Sequence, residues 1–148
     1  MINLSFQTSF MYKHSYKKRV RYNETDKMGY LYYGNYASLY EIGRVELIRS
    51  LGLSYQKMED ELGIMLPVVS LESRFLHPAY YDEELEIYTF LDEMPSKIIK
   101  FRHEIFNDQK QLINRATVKL FFTDMKEQKW ISAPPIIKAA LKEFFPDV

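Results

Sequence analysis

Residues 21–52 read RYNETDKMGYLYYGNYASLYEIGRVELIRSLG, and in them a glycine-bearing turn runs directly into the clearest helix of the chain. From Tyr36 to Leu51, Tyr36, Leu39, Tyr40, Gly43, Leu47 and Leu51 recur at three- and four-residue steps. That spacing places them on one helical face. Asn35 is a good N-cap residue and Gly52 a good C′ residue. Glu41 with Arg44, and Glu46 with Arg49, are i,i+3 pairs of the favourable sign. Gly43 costs about 1 kcal/mol against Ala in mid-helix, so a flat neighbour such as a sheet is expected to press close there.

Outward from this helix the pattern changes. On its N-terminal side, His14 to Tyr22 alternates in part and reads as a strand with Tyr16, Val20 and Tyr22 on one face. Asn23 to Asn35 holds turn residues and two glycines and reads as an ordered loop. On the C-terminal side, Ser54 to Leu62 reads as a shorter helix stopped by Gly63. From Ile64 the period becomes two. Strands are expected at Met65–His77, Glu84–Glu93, Lys97–Phe106 and Leu112–Thr123, with Pro67, Pro78 and Pro95 near ends or turns. Residues 107–110 form a turn, so the two strands flanking it form a hairpin. Pro134 and Pro135 open a last helix over Ile136–Phe145. The order strand, long helix, four strands, helix predicts an α+β fold: a long central helix wrapped by a curved, mostly antiparallel sheet. Such a sheet covers one side of the helix, and a second copy completes the layer, so a homodimer at least is expected.

Composition bounds the rest. The 148 residues carry 20 basic and 20 acidic side chains, with 47% apolar and 16% aromatic residues. One domain spanning 1–148 is expected, burying roughly 70% of its unfolded surface. Residues 1–11 follow no period and read as an arm that is flexible or left by start-site choice. Balanced charge gives no general pull toward nucleic acid or anionic membrane. With no cysteine, disulfides, thiolate zinc sites and a Cys nucleophile are excluded. No apolar run approaches the ~20 residues of a membrane span, and the N-terminus lacks a signal-peptide pattern; a cytoplasmic setting is expected. His14, His77 and His103 lie far apart without metal-ligand spacing, so structural or surface roles are expected and no metal or cofactor is. There is no GxSxG, Walker or GxGxxG motif.

Chemistry concentrates in the turn. Asp26 stands just before the helix, Gly29 permits a bend, and Tyr30 to Tyr33 lead to Gly34-Asn35. The free N–H groups of a helix start can polarise a carbonyl oxygen. If the loop folds back, a carboxylate and backbone donors together suffice for acyl transfer. From the residues alone Asp26 reads first as a plain turn or capping residue, because Asp is common in turns. The tyrosines Tyr30, Tyr32, Tyr33, Tyr36 and Tyr40 can line an acyl channel or fill the core. Lys17, Lys18, Arg19 and Arg21 can meet phosphates or guard a strand edge.

The elements Arg21-Tyr22, Thr25-Asp26-x-x-Gly29, Tyr32-Tyr33-Gly34-Asn35-Tyr36 and Tyr40-Glu41-x-x-Arg44-x-Glu46 resemble the signature of the 4-hydroxybenzoyl-CoA thioesterase family of hot-dog fold proteins. The likeness is to the branch that includes the Tol-Pal-associated acyl-CoA thioesterases, and it continues more weakly through Phe75, Pro78, Ala79, Tyr81 and Asp82. The resemblance implies a hot-dog fold, dimers or tetramers, and metal-free hydrolysis of an acyl-CoA or acyl-carrier thioester. It places the catalytic acid at Asp26, as nucleophile or general base. It places the backbone oxyanion donors at Tyr33 and Gly34, with the active site at a dimer interface. Glu41 falls where some relatives carry an acid facing the acyl pocket, and Tyr32 and Tyr36 join it as substrate-binding candidates. A His often found at the Tyr33 position in that branch is absent here. Two alternatives remain: a non-catalytic acyl-thioester binder, and a hot-dog hydroxyacyl dehydratase, which needs a His base where the sequence near the helix start offers none.

Overall fold

The computed structural model describes residues 10–146. The expected arm, residues 1–11, therefore lies outside the described residues except for Phe10 and Met11, both exposed. In chain order the elements are β1 (Tyr12–Arg19), α1 (Tyr36–Ser50), α2 (Tyr55–Leu62), β2 (Ile64–Met65), β3 (Val68–Phe75), β4 (Glu84–Leu91), β5 (Ile98–Phe106), β6 (Leu112–Phe121), β7 (Thr123–Asp124), β8 (Lys129–Trp130) and α3 (Pro135–Leu141). Five strands form one antiparallel sheet in the order β1-β4-β5-β6-β3. The architecture is the α+β arrangement expected, with α1 lying on the inner face of that sheet.

The register explains the packing. Along β4 and β5 the inner positions Leu85, Ile87, Thr89 and Leu91, and Ile99, Phe101, His103 and Ile105, are all fully buried. Against them α1 turns Tyr36, Leu39, Tyr40, Gly43, Arg44, Leu47 and Ile48. Gly43 marks the closest approach: a Cβ there would stand 2.4 Å from Thr89 Oγ1 and 3.4 Å from His103 Nδ1. The mid-helix glycine is thus required by a polar pair on the sheet, Thr89 and His103, joined at 3.0 Å. His103 stacks beneath the Tyr40 ring at 4.9 Å. Burial, helped by the nearby Arg44 charge, pushes His103 down to about 3, so it is held neutral.

Several expectations need correction. Tyr22 does not share the strand face: β1 ends at Arg19, and Tyr22 opens an exposed 3-10 turn, Tyr22–Glu24. The strand expected at 65–77 is broken at Leu66–Pro67, since proline cannot donate to a ladder, and β2 leaves for a second small sheet, β2-β7-β8. Leu112–Thr123 breaks likewise at Phe122, whose N–H donates to the Lys97 carbonyl instead. The last helix ends at Leu141 rather than Phe145. Glu46 pairs with Arg49, but Glu41 is exposed while Arg44 turns inward toward Tyr55, so no Glu41–Arg44 ion pair forms. The hairpin around residues 107–111 and the short second helix stand as expected, the latter capped by Ser54 Oγ accepting from Lys57 N–H.

Candidate active site

The loop between β1 and α1 folds back on itself. Asp26 N–H donates to the Tyr30 carbonyl at 2.8 Å, and Gly29 N–H returns to the Asp26 carbonyl at 3.0 Å. Gly29 takes φ +80°, which a side chain would resist. Inside this tight turn Asp26 Oδ1 accepts from Met28 N–H at 2.9 Å and Tyr30 N–H at 3.2 Å. Those bonds fix the carboxylate's direction. Oδ2 takes no hydrogen bond among the described residues. The turn and capping reading of Asp26 is therefore true of one oxygen, and the other is left over.

The helix start is equally specific. A 3-10 turn, Tyr33–Asn35, precedes α1, and its first bond runs from Asn35 N–H to the Tyr32 carbonyl at 2.9 Å. The N–H groups of Tyr33 and Gly34 come before that bond and have no intrahelical acceptor. The Tyr32 ring lies over Gly34: a Cβ on Gly34 would stand 2.6 Å from Tyr32 Cε1. Asn35 does not act as the expected cap. Its backbone is helical and its side chain makes no capping bond.

Asp26 and Tyr33 line one cleft of about 310 Å³, with Tyr36 beside them. Phe75, Leu76, His77 and Pro78 form another part of its wall. Tyr36 and Phe75 meet edge to face at 4.9 Å, and Tyr33 lies 6.5 Å from the same Phe75 ring. Burial pushes the Tyr36 hydroxyl up to about 12, so it stays protonated at neutral pH. Tyr32 is outside the lining; it packs on the Tyr33 ring at 4.8 Å. Glu41 lies outside it too, exposed on α1. Tyr40 is core, its hydroxyl bonded to Ser73 and Asn114. The expectation that no His lies near the helix start is corrected: His77 shares the cleft with Asp26, Tyr33 and Tyr36. Sequence reading missed this wall because β3 is forty residues away and reaches the helix start only through the sheet. The faint signal was the Phe75-to-Pro78 likeness.

The basic stripe is largely neutralised. Lys17 faces Glu84 at 3.8 Å, Arg19 faces Glu84 and Asp82, and Lys18 bonds Glu24 at 2.8 Å. Among the described residues no cluster of His, Asp and Glu could hold a metal ion, and no helix is long and apolar enough to cross a membrane.

Comparison with known proteins gives a consistent picture. Residues 20–141 match the model of the thioesterase-like superfamily. A putative acyl-CoA thioesterase of Bacillus subtilis, YneP, is 33% identical over 74% of this chain and 79% of its own length. The acyl-CoA thioester hydrolase YbgC of Escherichia coli is 30% identical over 84% and 92%. Among solved structures, a DHNA-CoA thioesterase from Staphylococcus aureus superposes with a TM-score of 0.77 at 31% identity, over 91% of this chain and 85% of that one. The 4-hydroxybenzoyl-CoA thioesterase of Pseudomonas sp. strain CBS-3 superposes at 0.78, over 86% of this chain and 98% of that one, with 24% identity, which speaks to the fold.

Proposed function

This chain belongs to the thioesterase-like superfamily, and from that premise we propose that it hydrolyses acyl-CoA thioesters, with Asp26 as the working carboxylate and the Tyr33 and Gly34 amides as oxyanion donors. What carries the reading is that Asp26, its Oδ1 tied and its Oδ2 left over, lines the same cleft as Tyr33, whose amide and that of the adjacent Gly34 have no intrahelical acceptor. In that cleft the thioester carbonyl oxygen takes the two N–H bonds, which strengthen as negative charge develops on it. Two routes fit. In one, Asp26 Oδ2 attacks the carbonyl carbon, the CoA thiolate leaves, and water hydrolyses the mixed anhydride. In the other, Asp26 takes a proton from the attacking water and the tetrahedral adduct expels the thiolate. A burst of free CoA ahead of free acid marks the first route.

The site also favours an assembly of at least two copies. Strand β3 is an open edge of the sheet and exposes Val68, Val69, Leu71 and Phe75. An apolar open edge is a template for pairing. Phe75 is both on that edge and in the cleft wall, so a partner on β3 would close the site. Leu71→Lys is expected to shift the sedimentation profile at micromolar concentration toward monomer; a wild-type protein already monomeric there contradicts the assembly.

The test of function is a thiol-release assay with acetyl-, hexanoyl-, palmitoyl- and benzoyl-CoA, and with one carrier-protein thioester. Free thiol from at least one is the expected result. Binding without thiol release would favour a non-catalytic binder. Hydration or dehydration of an enoyl or hydroxyacyl ester, with CoA retained, would favour a dehydratase using His77.

A further inference from the structure

At the N-cap of α1 an Asn ordinarily accepts a hydrogen bond from an amide in the first turn. Asn35 does something else. Its Nδ2 donates to the Glu24 carbonyl at 2.9 Å. The same carbonyl accepts from Tyr32 N–H at 2.9 Å. Glu24 is two residues before Asp26, and Tyr32 is one before the first unpaired amide. A single carbonyl thus ties the two chemical elements together, and the Asn35 side chain supplies one of its two bonds.

The Glu24 end of this tie is itself fixed. Its carboxylate accepts from Lys18 Nζ and from Arg21 N–H, each at 2.8 Å. Burial works to raise this carboxyl, but the bonds from Lys18 and Arg21 outweigh it and hold Glu24 below the usual carboxylate range. Glu24 therefore stays ionised and its turn stays closed. Departures from local rules concentrate where a site needs a particular geometry. Here the departure is a capping residue whose amide is spent on the loop opposite.

We propose that Asn35 is a positioning residue that sets the distance between the Asp26 carboxylate and the Tyr33–Gly34 amides. The proposal rests on the reading of those groups as the acyl-transfer machinery. Asn35 lies outside the cleft lining and acts through the placement of the loop. Misplacing a reacting group by about 1 Å costs up to roughly a hundredfold in rate.

The experiment compares Asn35→Ala, the near-isosteric Asn35→Asp, Asp26→Asn and the Asp26→Asn/Asn35→Ala double variant, on whichever of the four CoA esters or the carrier-protein thioester the wild type turns over fastest. Asn35→Ala is expected to lower kcat about 10- to 100-fold with KM nearly unchanged. Asn35→Asp, which sets an oxygen against the Glu24 carbonyl, should lower it at least as far, and carries the test if Asn35→Ala does not fold. In the Asp26→Asn background the Asn35→Ala penalty should shrink, because there is no carboxylate left to position. Wild-type kcat in both Asn35 variants, with Asp26→Asn strongly impaired, overturns the positioning role alone. So does a penalty of equal size in both backgrounds. Full activity in Asp26→Asn overturns the catalytic reading and this inference with it, as does a wild type inert to all four CoA esters and to the carrier-protein thioester.

Discussion

The two ends of α1 are built on opposite plans. At the C-terminal end the backbone closes on itself: Leu51 N–H reaches the Ile48 carbonyl at 3.1 Å, Gly52 N–H the Arg49 carbonyl at 2.9 Å, and Leu53 N–H the Ile48 carbonyl at 3.3 Å. Gly52 takes φ +81° to make this possible. At the N-terminal end a 3-10 turn closes only from Asn35 onward. Tyr33 and Gly34 have no intrahelical acceptor, and the natural cap, Asn35, is turned away to Glu24. Both ends start with unpaired backbone groups. One end uses its hydrogen bonds for stability, and the other keeps unpaired donors with the positive pole of the helix dipole behind them; of their two residues, Tyr33 lines the cleft that Asp26 also lines. The contrast separates a closed, stabilising end from an end with unpaired donors, and each side of it can be probed by substitution.

The largest effect is expected at the open end. Asp26→Asn should lower kcat by roughly a hundred- to ten-thousandfold while the melting temperature and the sedimentation profile stay near wild type. Loss of fold along with activity would place Asp26 in the scaffold instead. Next in size is the shared body of the helix. Leu47 is fully buried, and Leu47→Ala should cost about 2–5 kcal/mol in urea unfolding, with kcat per folded molecule preserved. Beneath the middle of the helix, His103 gives a pH signature. Its folded value is about 3 against about 6.5 when unfolded, so above pH 6.5 it is neutral in both states. As pH falls below 6.5 the unfolded chain takes up a proton that the folded one refuses. Stability then declines by up to about 1.4 kcal/mol per pH unit until the folded value is reached. Urea midpoints from pH 7 to pH 4 should slope less in His103→Gln than in wild type; equal slopes contradict a neutral buried His103. The smallest effect belongs to the closed end. Gly52→Ala meets open space but keeps a positive φ, and should cost about 1 kcal/mol without changing kcat.

Local features of the sequence were legible because their causes are local. The three- and four-residue spacing of Tyr36 to Leu47 dictates α1, and Gly43 announced the sheet that Thr89 and His103 provide. The Thr25-Asp26-x-x-Gly29 turn closes as its residues suggest. What stayed hidden depends on chain segments meeting at a distance. Asn35 looked like a cap because nothing in its neighbours shows the Glu24 carbonyl folding back to it. Arg44 looked paired with Glu41 because helix spacing allows it, but the sheet and Tyr55 draw it inward. Glu41 and Tyr32 looked like pocket residues and lie outside the cleft, whereas Phe75 to Pro78, brought across by β3, line it.

In the proposed site the amides opening α1 grip the carbonyl on which Asp26 acts. Infrared spectroscopy of a thioester carrying ¹³C at that carbonyl, bound to Asp26→Asn so that it persists, tests this most directly. Two hydrogen bonds should move the carbonyl stretch to lower wavenumber than in free substrate. A stretch unmoved on binding would contradict the claim.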